Sequence, residues 1–249
     1  IAEKLPVKPP VKCTGCPHRG MFYALCKKKI TVLGDIGCYT LGSAAPLNAM
    51  EMTLCMGASV SSLHGFNKAL KAESEGKTVA VIGDSTFMHS GMTSLATIAY
   101  NQSNSTVIIV DNSITGMTGH QQNPTTGKNL YGDPAGRVNL EALVKSMGIN
   151  RVRVVDPYNI EQCEQALKEE LSANEPSVII SRRPCALLKE VKHPGPISVN
   201  PDKCKSCKSC MKIGCPAISM KDGKAKVDDT LCVGCKVCTQ MCKFDAFNV

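Results

Sequence analysis

The chain has 249 residues, 43% of them hydrophobic, and a formal net charge of +8. That length buries one sizeable core with room for a small second domain, and no apolar run approaches the roughly 18 residues of a membrane span. Lys27-Lys28-Lys29 is the one run among scattered lysines, with few aromatics beside them, so the charge does not describe a nucleic-acid interface.

Fifteen cysteines in a chain that opens without a secretory signal point to metal ligation rather than disulfides, and to a reducing, cytoplasmic setting. The first residue is Ile rather than Met, which suggests a processed product or part of a longer polypeptide.

Residues 1–12 read as a Pro- and Lys-rich extended lead-in, followed by Cys13-Thr14-Gly15-Cys16-Pro17-His18 and a short helix near Met21–Lys28. Ile30–Leu33 predicts a strand ending in the turn Gly34-Asp35-Ile36-Gly37-Cys38. The small-residue stretch 57–72 predicts a helix packed closely on a sheet or a partner. Thr78–Ile82 and Thr106–Val110 are apolar runs bounded by turn residues, the pattern of strands buried on both faces. Between them lie Gly83-Asp84-Ser85 and a helix, and the second run ends in Asp111-Asn112-Ser113. Beyond a loop over 113–138, Leu140, Leu143, Val144 and Met147 share one helical face. Val152–Val155, an amphipathic helix marked by Ile160, Cys163, Ala166, Leu167 and Leu171, and the strand Ser177–Ser181 complete the series. The alternation predicts an α/β fold, a parallel sheet covered by helices on both faces. The proline-rich segment 191–201 breaks the pattern, and a boundary there divides the chain into 1–195 and 196–249.

Two strand ends carry chemistry. Asp84 and Asn112 fall just past the carboxyl ends of predicted parallel strands, where open α/β sheets bind ligands. Gly83 lets the backbone approach a ligand. Asp84, Asn112 and a main-chain carbonyl offer hard oxygens to Mg²⁺, an ion usually held by few protein groups plus substrate phosphates.

The C-terminal segment holds an internal repeat, Cys204-x₂-Cys207-x₂-Cys210-x₄-Cys215 and Cys232-x₂-Cys235-x₂-Cys238-x₃-Cys242. It resembles the two-cluster bacterial ferredoxins, in which the last cysteine of each run crosses to the other cluster. Carried over, one [4Fe–4S] cluster takes Cys204, Cys207, Cys210 and Cys242, and the other takes Cys232, Cys235, Cys238 and Cys215. One extra residue precedes Cys215, and Lys243 stands where Pro is usual. Three cysteines at successive two-residue gaps, twice over, do not read as zinc sites. Too short for a large apolar core, this small α+β unit depends on its clusters. Each oxidised cluster brings a charge of about −2, which carries the loaded protein towards neutrality.

The Asp84/Asn112 pair resembles the diphosphate motif of thiamine diphosphate enzymes, with Ser85 in place of a Gly and Asp111 before the Asn. Joined to the cysteine runs, it resembles the 2-oxoacid:ferredoxin oxidoreductase family, and within it the C-terminal half of the large subunit of the indolepyruvate branch. The likeness spans nearly the whole chain: Pro9-Pro10-Val11, Cys13-x-Gly15-Cys16-Pro17-His18-Arg19, Gly34-Asp35-Ile36-Gly37-Cys38-Tyr39-Thr40-Leu41, Gly83-Asp84-Ser85-Thr86-Phe87, Met117-Thr118-Gly119-His120-Gln121 and Arg183-Pro184-Cys185-Ala186-Leu187-Leu188. It implies Mg²⁺ ligation by Asp84, Asn112 and the Ile114 carbonyl, a diphosphate cradled by Gly83–Ser85, and a cofactor site that includes Gly37, Cys38 and Thr118. His120, which replaces a Gly of pyruvate-type relatives, and His18 are the catalytic candidates. Cys13, Cys16, Cys38 and Cys185 stand where some relatives hold a third, proximal [4Fe–4S] cluster, a relay suited to a ferredoxin unit hinged on the proline linker.

The reaction implied is oxidative decarboxylation of a 2-oxo acid, an arylpyruvate such as indolepyruvate, to an acyl-CoA, with electrons passed to ferredoxin. Pyruvate or another 2-oxo acid is the alternative within the family. A non-oxidative decarboxylase would not use the cysteine runs, and retention of both Asp84 and Asn112 argues against an electron-transfer subunit with a degenerate thiamine domain. The implied partners are a pyrimidine-binding domain or subunit supplying an activating Glu, the small subunit of the oxidoreductase, ferredoxin and coenzyme A, with no nucleic acid and no membrane. Cys163 reads as a buried structural thiol, Cys26 and Cys55 as core or loop thiols, His64 as packing, and His89 as a residue of the helix after the Mg²⁺ motif.

Overall fold

The computed structural model describes residues 10–249, so Pro9 and the rest of the 1–9 lead-in lie outside the described residues. Six strands form one sheet: β1 Thr31–Gly34, β2 Met52–Thr53, β3 Thr78–Gly83, β4 Thr106–Asp111, β5 Arg151–Val155 and β6 Ser177–Arg182. Their order is β2-β1-β3-β4-β6-β5, and every pairing is parallel. β3 and β4 are buried along their whole length, as their continuous apolar runs require.

Alternation along each strand feeds two cores. Val79, Val81 and Ile108 face α1 (His18–Lys28) and α6 (Ile160–Leu171), packing with Met21, Phe22, Leu25 and Leu167. Ala80, Ile82, Val107 and Ile109 face α2 (Ala58–Leu70), α4 (Met92–Tyr100) and α5 (Leu140–Ser146), packing with Leu63, Leu95, Ile98 and Val144. Gly83 pairs with Val110 and Asp111 with Arg182, so the segments leaving β3, β4 and β6 emerge side by side at one edge.

Some detail departs from the sequence expectation. α1 begins at His18, earlier than Met21, because Pro17 caps it with φ already at −63°. The helix after β3 is broken into one turn, α3 (Asp84–Thr86), a π-helical turn (Phe87–Gly91) and α4. β2 is two residues long, too short for any periodicity to announce it.

From Ser198 onward the chain forms two antiparallel pairs, β7 (Ser198–Val199) with β10 (Phe247–Asn248) and β8 (Ile218–Lys221) with β9 (Lys224–Val227). Ile197, Ile213, Ile218, Val237 and Phe247 supply its small core, joined by Ile160 from α6. This unit packs on the sheet domain rather than hanging from the proline segment. The Tyr158 hydroxyl donates to Gly15 O at 2.5 Å, and Gln240 accepts from Ile160 N at 3.0 Å and donates to Tyr158 O at 2.7 Å. Gly15 has no room for a side chain, since a Cβ there would meet Val233 Cγ2 at 2.4 Å.

Candidate functional site

The carboxyl ends of β1, β3 and β4 open into a cleft of about 110 Å³. Its lining includes Gly37 and Cys38 after β1, Gly83, Asp84 and Ser85 after β3, and Asn112, Ile114 and Thr118 after β4. His18, from the first turn of α1, closes one wall. Residues far apart in sequence meet here because each follows the same end of a parallel strand.

Asp84 is 3% exposed, and its Oδ2 accepts from Asn123 Nδ2 at 3.3 Å and Thr125 Oγ1 at 3.2 Å. Burial, and then the nearby Asp111 carboxylate, push its carboxyl up to about 7. The two acids are treated differently. Asp111 accepts from Arg182 Nε at 2.7 Å, and Arg182 also forks onto Glu141 at 2.7 Å, whereas among the described residues no cation pairs with Asp84. A buried carboxylate without a counterion, beside an amide and a main-chain carbonyl, suits a hard divalent cation, which would draw its pKa back down.

Tyr39 explains two glycines. A Cβ on Gly83 would lie 2.6 Å from Tyr39 Cε1, and one on Gly37 2.4 Å from the same atom. Both are therefore glycine for the aromatic ring beneath the cleft as well as for any ligand above it. The Tyr39 hydroxyl donates to Ile36 O at 2.9 Å, and Asp35 caps α2 by accepting from Gly57 N and Ser59 N at 3.0 Å. The loop after β4 is sewn on by Thr115 Oγ1 donating to Ser85 Oγ at 2.8 Å. Sequence reasoning gave no role to Tyr39, although it lies in a matched motif, and missed Asn123, Thr125 and Arg182, because only tertiary proximity gives them one.

Beside the cleft four thiols converge. β6 runs on past its end, Arg183 N donating to Asp111 O at 3.0 Å and Cys185 N to Asn112 O at 2.9 Å, which carries Cys185 to the β4 terminus. Burial raises the Cys38 thiol, and negative charge on Cys16, Cys185 and Cys13 raises it further, so all four lie within electrostatic reach. Lys12, 4% exposed, stands under them and donates to Cys38 O at 3.4 Å and Tyr39 O at 3.3 Å.

In the C-terminal unit Cys204, Cys207, Cys210 and Cys242 line one small pocket. Ala225 N donates to Cys204 Sγ at 3.5 Å and Ala246 N to Cys242 Sγ at 3.4 Å, the donor pattern that stabilises cluster thiolates. Burial raises Cys238, followed by the charges of Cys235, Cys215 and Cys232. These two neighbourhoods group Cys204, Cys207 and Cys210 with Cys242, and Cys232, Cys235 and Cys238 with Cys215. Among the described residues no three His, Cys, Asp or Glu side chains close on a single metal ion. A cubane asks for less, since each thiolate binds a different iron and the sulfurs stand apart.

Of the two histidines singled out, His18 is buried against Tyr39 at an 84° interplanar angle, and burial drives it down to about 3. His120, with φ +63°, is exposed on the loop outside the cleft lining, and its Nε2 lies 3.8 Å from Cys185 Sγ. Cys163 is fully buried, its thiol pushed up to about 12 by burial, while Cys55 and His89 are exposed and Cys26 and His64 half-buried.

A parallel sheet with an acid–amide pair at its carboxyl edge is the arrangement in which open α/β domains bind ligands. The family model described as thiamine pyrophosphate enzyme, C-terminal TPP binding domain, matches residues 35–181, and the chain belongs to that family. It is similar along 100% of its length to indolepyruvate oxidoreductase subunit IorA of Pyrococcus abyssi and of Thermococcus kodakarensis, at 43% identity to each. The corresponding protein of Archaeoglobus fulgidus is 40% identical over 97% of the chain. The chain spans 42%, 42% and 40% of the length of these curated relatives. Among solved structures, 2-oxoglutarate:ferredoxin oxidoreductase from Magnetococcus marinus shares the fold, with a TM-score of 0.58 and 18% identity over 76% of this chain and 67% of that one. Among the described residues no helix is long and apolar enough to cross a membrane.

Proposed function

We propose that this chain is the thiamine diphosphate-binding and electron-transfer part of a cytoplasmic 2-oxoacid:ferredoxin oxidoreductase, divided at 1–195 and 196–249. The observation that carries the reading is the position of Cys38, which lines the Asp84–Asn112 cleft and also belongs to the Cys13/Cys16/Cys185 thiol group. A carbon-chemistry site and a one-electron site then share a wall. The overall reaction takes a 2-oxo acid, coenzyme A and two oxidised ferredoxins to an acyl-CoA, CO₂, two reduced ferredoxins and a proton.

Asp84, Asn112 and the Ile114 carbonyl would hold Mg²⁺, and Gly83–Ser85 with Gly37 and Thr118 would seat the diphosphate. Thiamine diphosphate supplies, when bound, the carbanion that lets a 2-oxo acid lose CO₂. The chain's own residues orient and insulate: Tyr39 buttresses the glycine turns, Asn123 and Thr125 fix the Asp84 carboxylate, and His18 offers a neutral imidazole at the wall. Cys13, Cys16, Cys38 and Cys185 would hold a proximal [4Fe–4S] cluster, and the two C-terminal quartets the others. The 43% identity to proteins named indolepyruvate oxidoreductase supports an arylpyruvate substrate, as does the apolar rim of Ile36, Met56 and Met117. His120 on its exposed loop would face that substrate once partner domains are in place.

Iron analysis of the anaerobically reconstituted chain tests the electron-transfer half of the reading. Three cubanes give roughly twelve irons per chain, against eight from the C-terminal pair alone. A panel of 2-oxo acids offered to the assembled oxidoreductase with viologen as acceptor tests the substrate, and indifference between pyruvate and indolepyruvate would count against the arylpyruvate assignment.

A further inference from the structure

Arg19 lies on α1 between the two groups of cysteines and is 3% exposed. Its Nη2 donates to Lys12 O at 2.7 Å and Cys13 O at 2.8 Å, holding the loop of Cys13 and Cys16. Its Nη1 donates to Ile213 O at 3.0 Å and to Gly214 O, the two residues before Cys215. One guanidinium thus ties the cysteine loop of the sheet domain to a cysteine loop of the C-terminal unit. Gly214, at φ +66°, brings that loop close, with space for a Cβ already taken by Pro46.

The charge bookkeeping is unusual. Among the described residues no carboxylate pairs with Arg19, its Nε has no partner, and its hydrogen bonds go only to carbonyls. A buried cation in that condition lacks a full counter-charge. Its hydrogen bonds place it between the loop of Cys13 and Cys16 and the loop that leads into Cys215, one loop from each neighbouring quartet. A fixed guanidinium between two anionic redox centres offsets their mutual repulsion and favours the more negative, reduced state at each.

We propose that Arg19 is a positioning residue that couples these two redox sites, clamping their loops together and holding both reduction potentials up. The inference rests on the reading above that the quartets carry [4Fe–4S] clusters. The step it serves is a single electron leaving the reduced cluster of Cys13, Cys16, Cys38 and Cys185, which is oxidised. The cluster of Cys215, Cys232, Cys235 and Cys238 is reduced by it, with no bond made or broken.

The test is an EPR-monitored redox titration with iron analysis of the complete oxidoreductase, wild type against Arg19→Met and Arg19→Lys. In Arg19→Met the reduced-to-oxidised ratio of the two flanking clusters at a fixed potential should fall about tenfold, ~59 mV for a one-electron couple. The Cys204/Cys207/Cys210/Cys242 cluster should not move, and Arg19→Lys, which keeps the charge, should recover most of the shift. Flanking clusters that reduce as in wild type, or a shift shared equally by the outer cluster, would overturn the proposal. Should Arg19→Met not load iron, Arg19→Lys decides. Near-wild-type potentials with faster proteolysis in 191–197, from loss of the forked clamp, would support it, and wild-type behaviour in both would end it. About eight irons in the wild type would remove the proximal-cluster reading and the coupling with it, whereas about twelve irons with unmoved flanking potentials would overturn the Arg19 proposal alone.

Discussion

Asp84 and Asp111 leave adjacent strands as two buried acids, one neutralised by Arg182 and one not. Asp84→Asn removes the unpaired anion and should therefore stabilise the ligand-free chain, by about 1–3 kcal/mol, while abolishing the rise in Tm that thiamine diphosphate with Mg²⁺ gives the wild type. A mutant whose Tm rises with cofactor as the wild type's does would dismiss the Mg²⁺ assignment. Arg182→Ala acts the opposite way, leaving Asp111 buried and unpaired beside Asp84. A loss of about 3 kcal/mol in urea unfolding is expected, and a loss below 1 kcal/mol would show Asp111 to be solvated. Asp84, Asn112 and Cys38 were legible in the sequence because the strand-end rule needs only strand boundaries. Arg182 was not, because its role comes from the register that sets it opposite Asp111.

At the scale of elements, α1 is positioned by a backbone contact. A Cβ on Gly20 would fall 1.8 Å from Pro157 O, at the turn leading into α6. Gly20→Ala should cost about 1–3 kcal/mol through overpacking and loosen the turn that carries Tyr158. Gly65 on α2 has nothing within 4 Å of its would-be Cβ, so Gly65→Ala should be neutral or stabilise by about 0.5–1 kcal/mol. Denaturant midpoints of the pair check both, and equal effects would refute the packing account. The long apolar strands and the 140–171 helices announced themselves through periodicity. The π turn at Phe87–Gly91 did not, since its five residues are too few for a shifted period to show.

Across the whole molecule, the proposed cluster sites run from cleft to surface. Cys38 lines the cleft, Arg19 joins the Cys13 loop to the loop before Cys215, and Cys207 is exposed in one pocket with the exposed Lys205 and Lys208. Among the described residues no glutamate lines the cleft, and its rim leaves Ile36, Met56 and Met117 exposed, so the 249 residues alone should turn over no 2-oxo acid. In the proposed reading electron exit can be probed separately, by reducing the reconstituted clusters chemically and following transfer to an acidic ferredoxin. Attraction between that acceptor and the lysine rim raises the encounter rate, and salt screens it over about 8–10 Å at physiological strength. The second-order rate should therefore fall steeply with ionic strength. In the double variant Lys205→Glu, Lys208→Glu it should start about tenfold lower and lose most of its salt dependence, with iron content unchanged. A salt-independent rate in the wild type, or a double variant that transfers as fast at low salt, would place the exit away from Cys207.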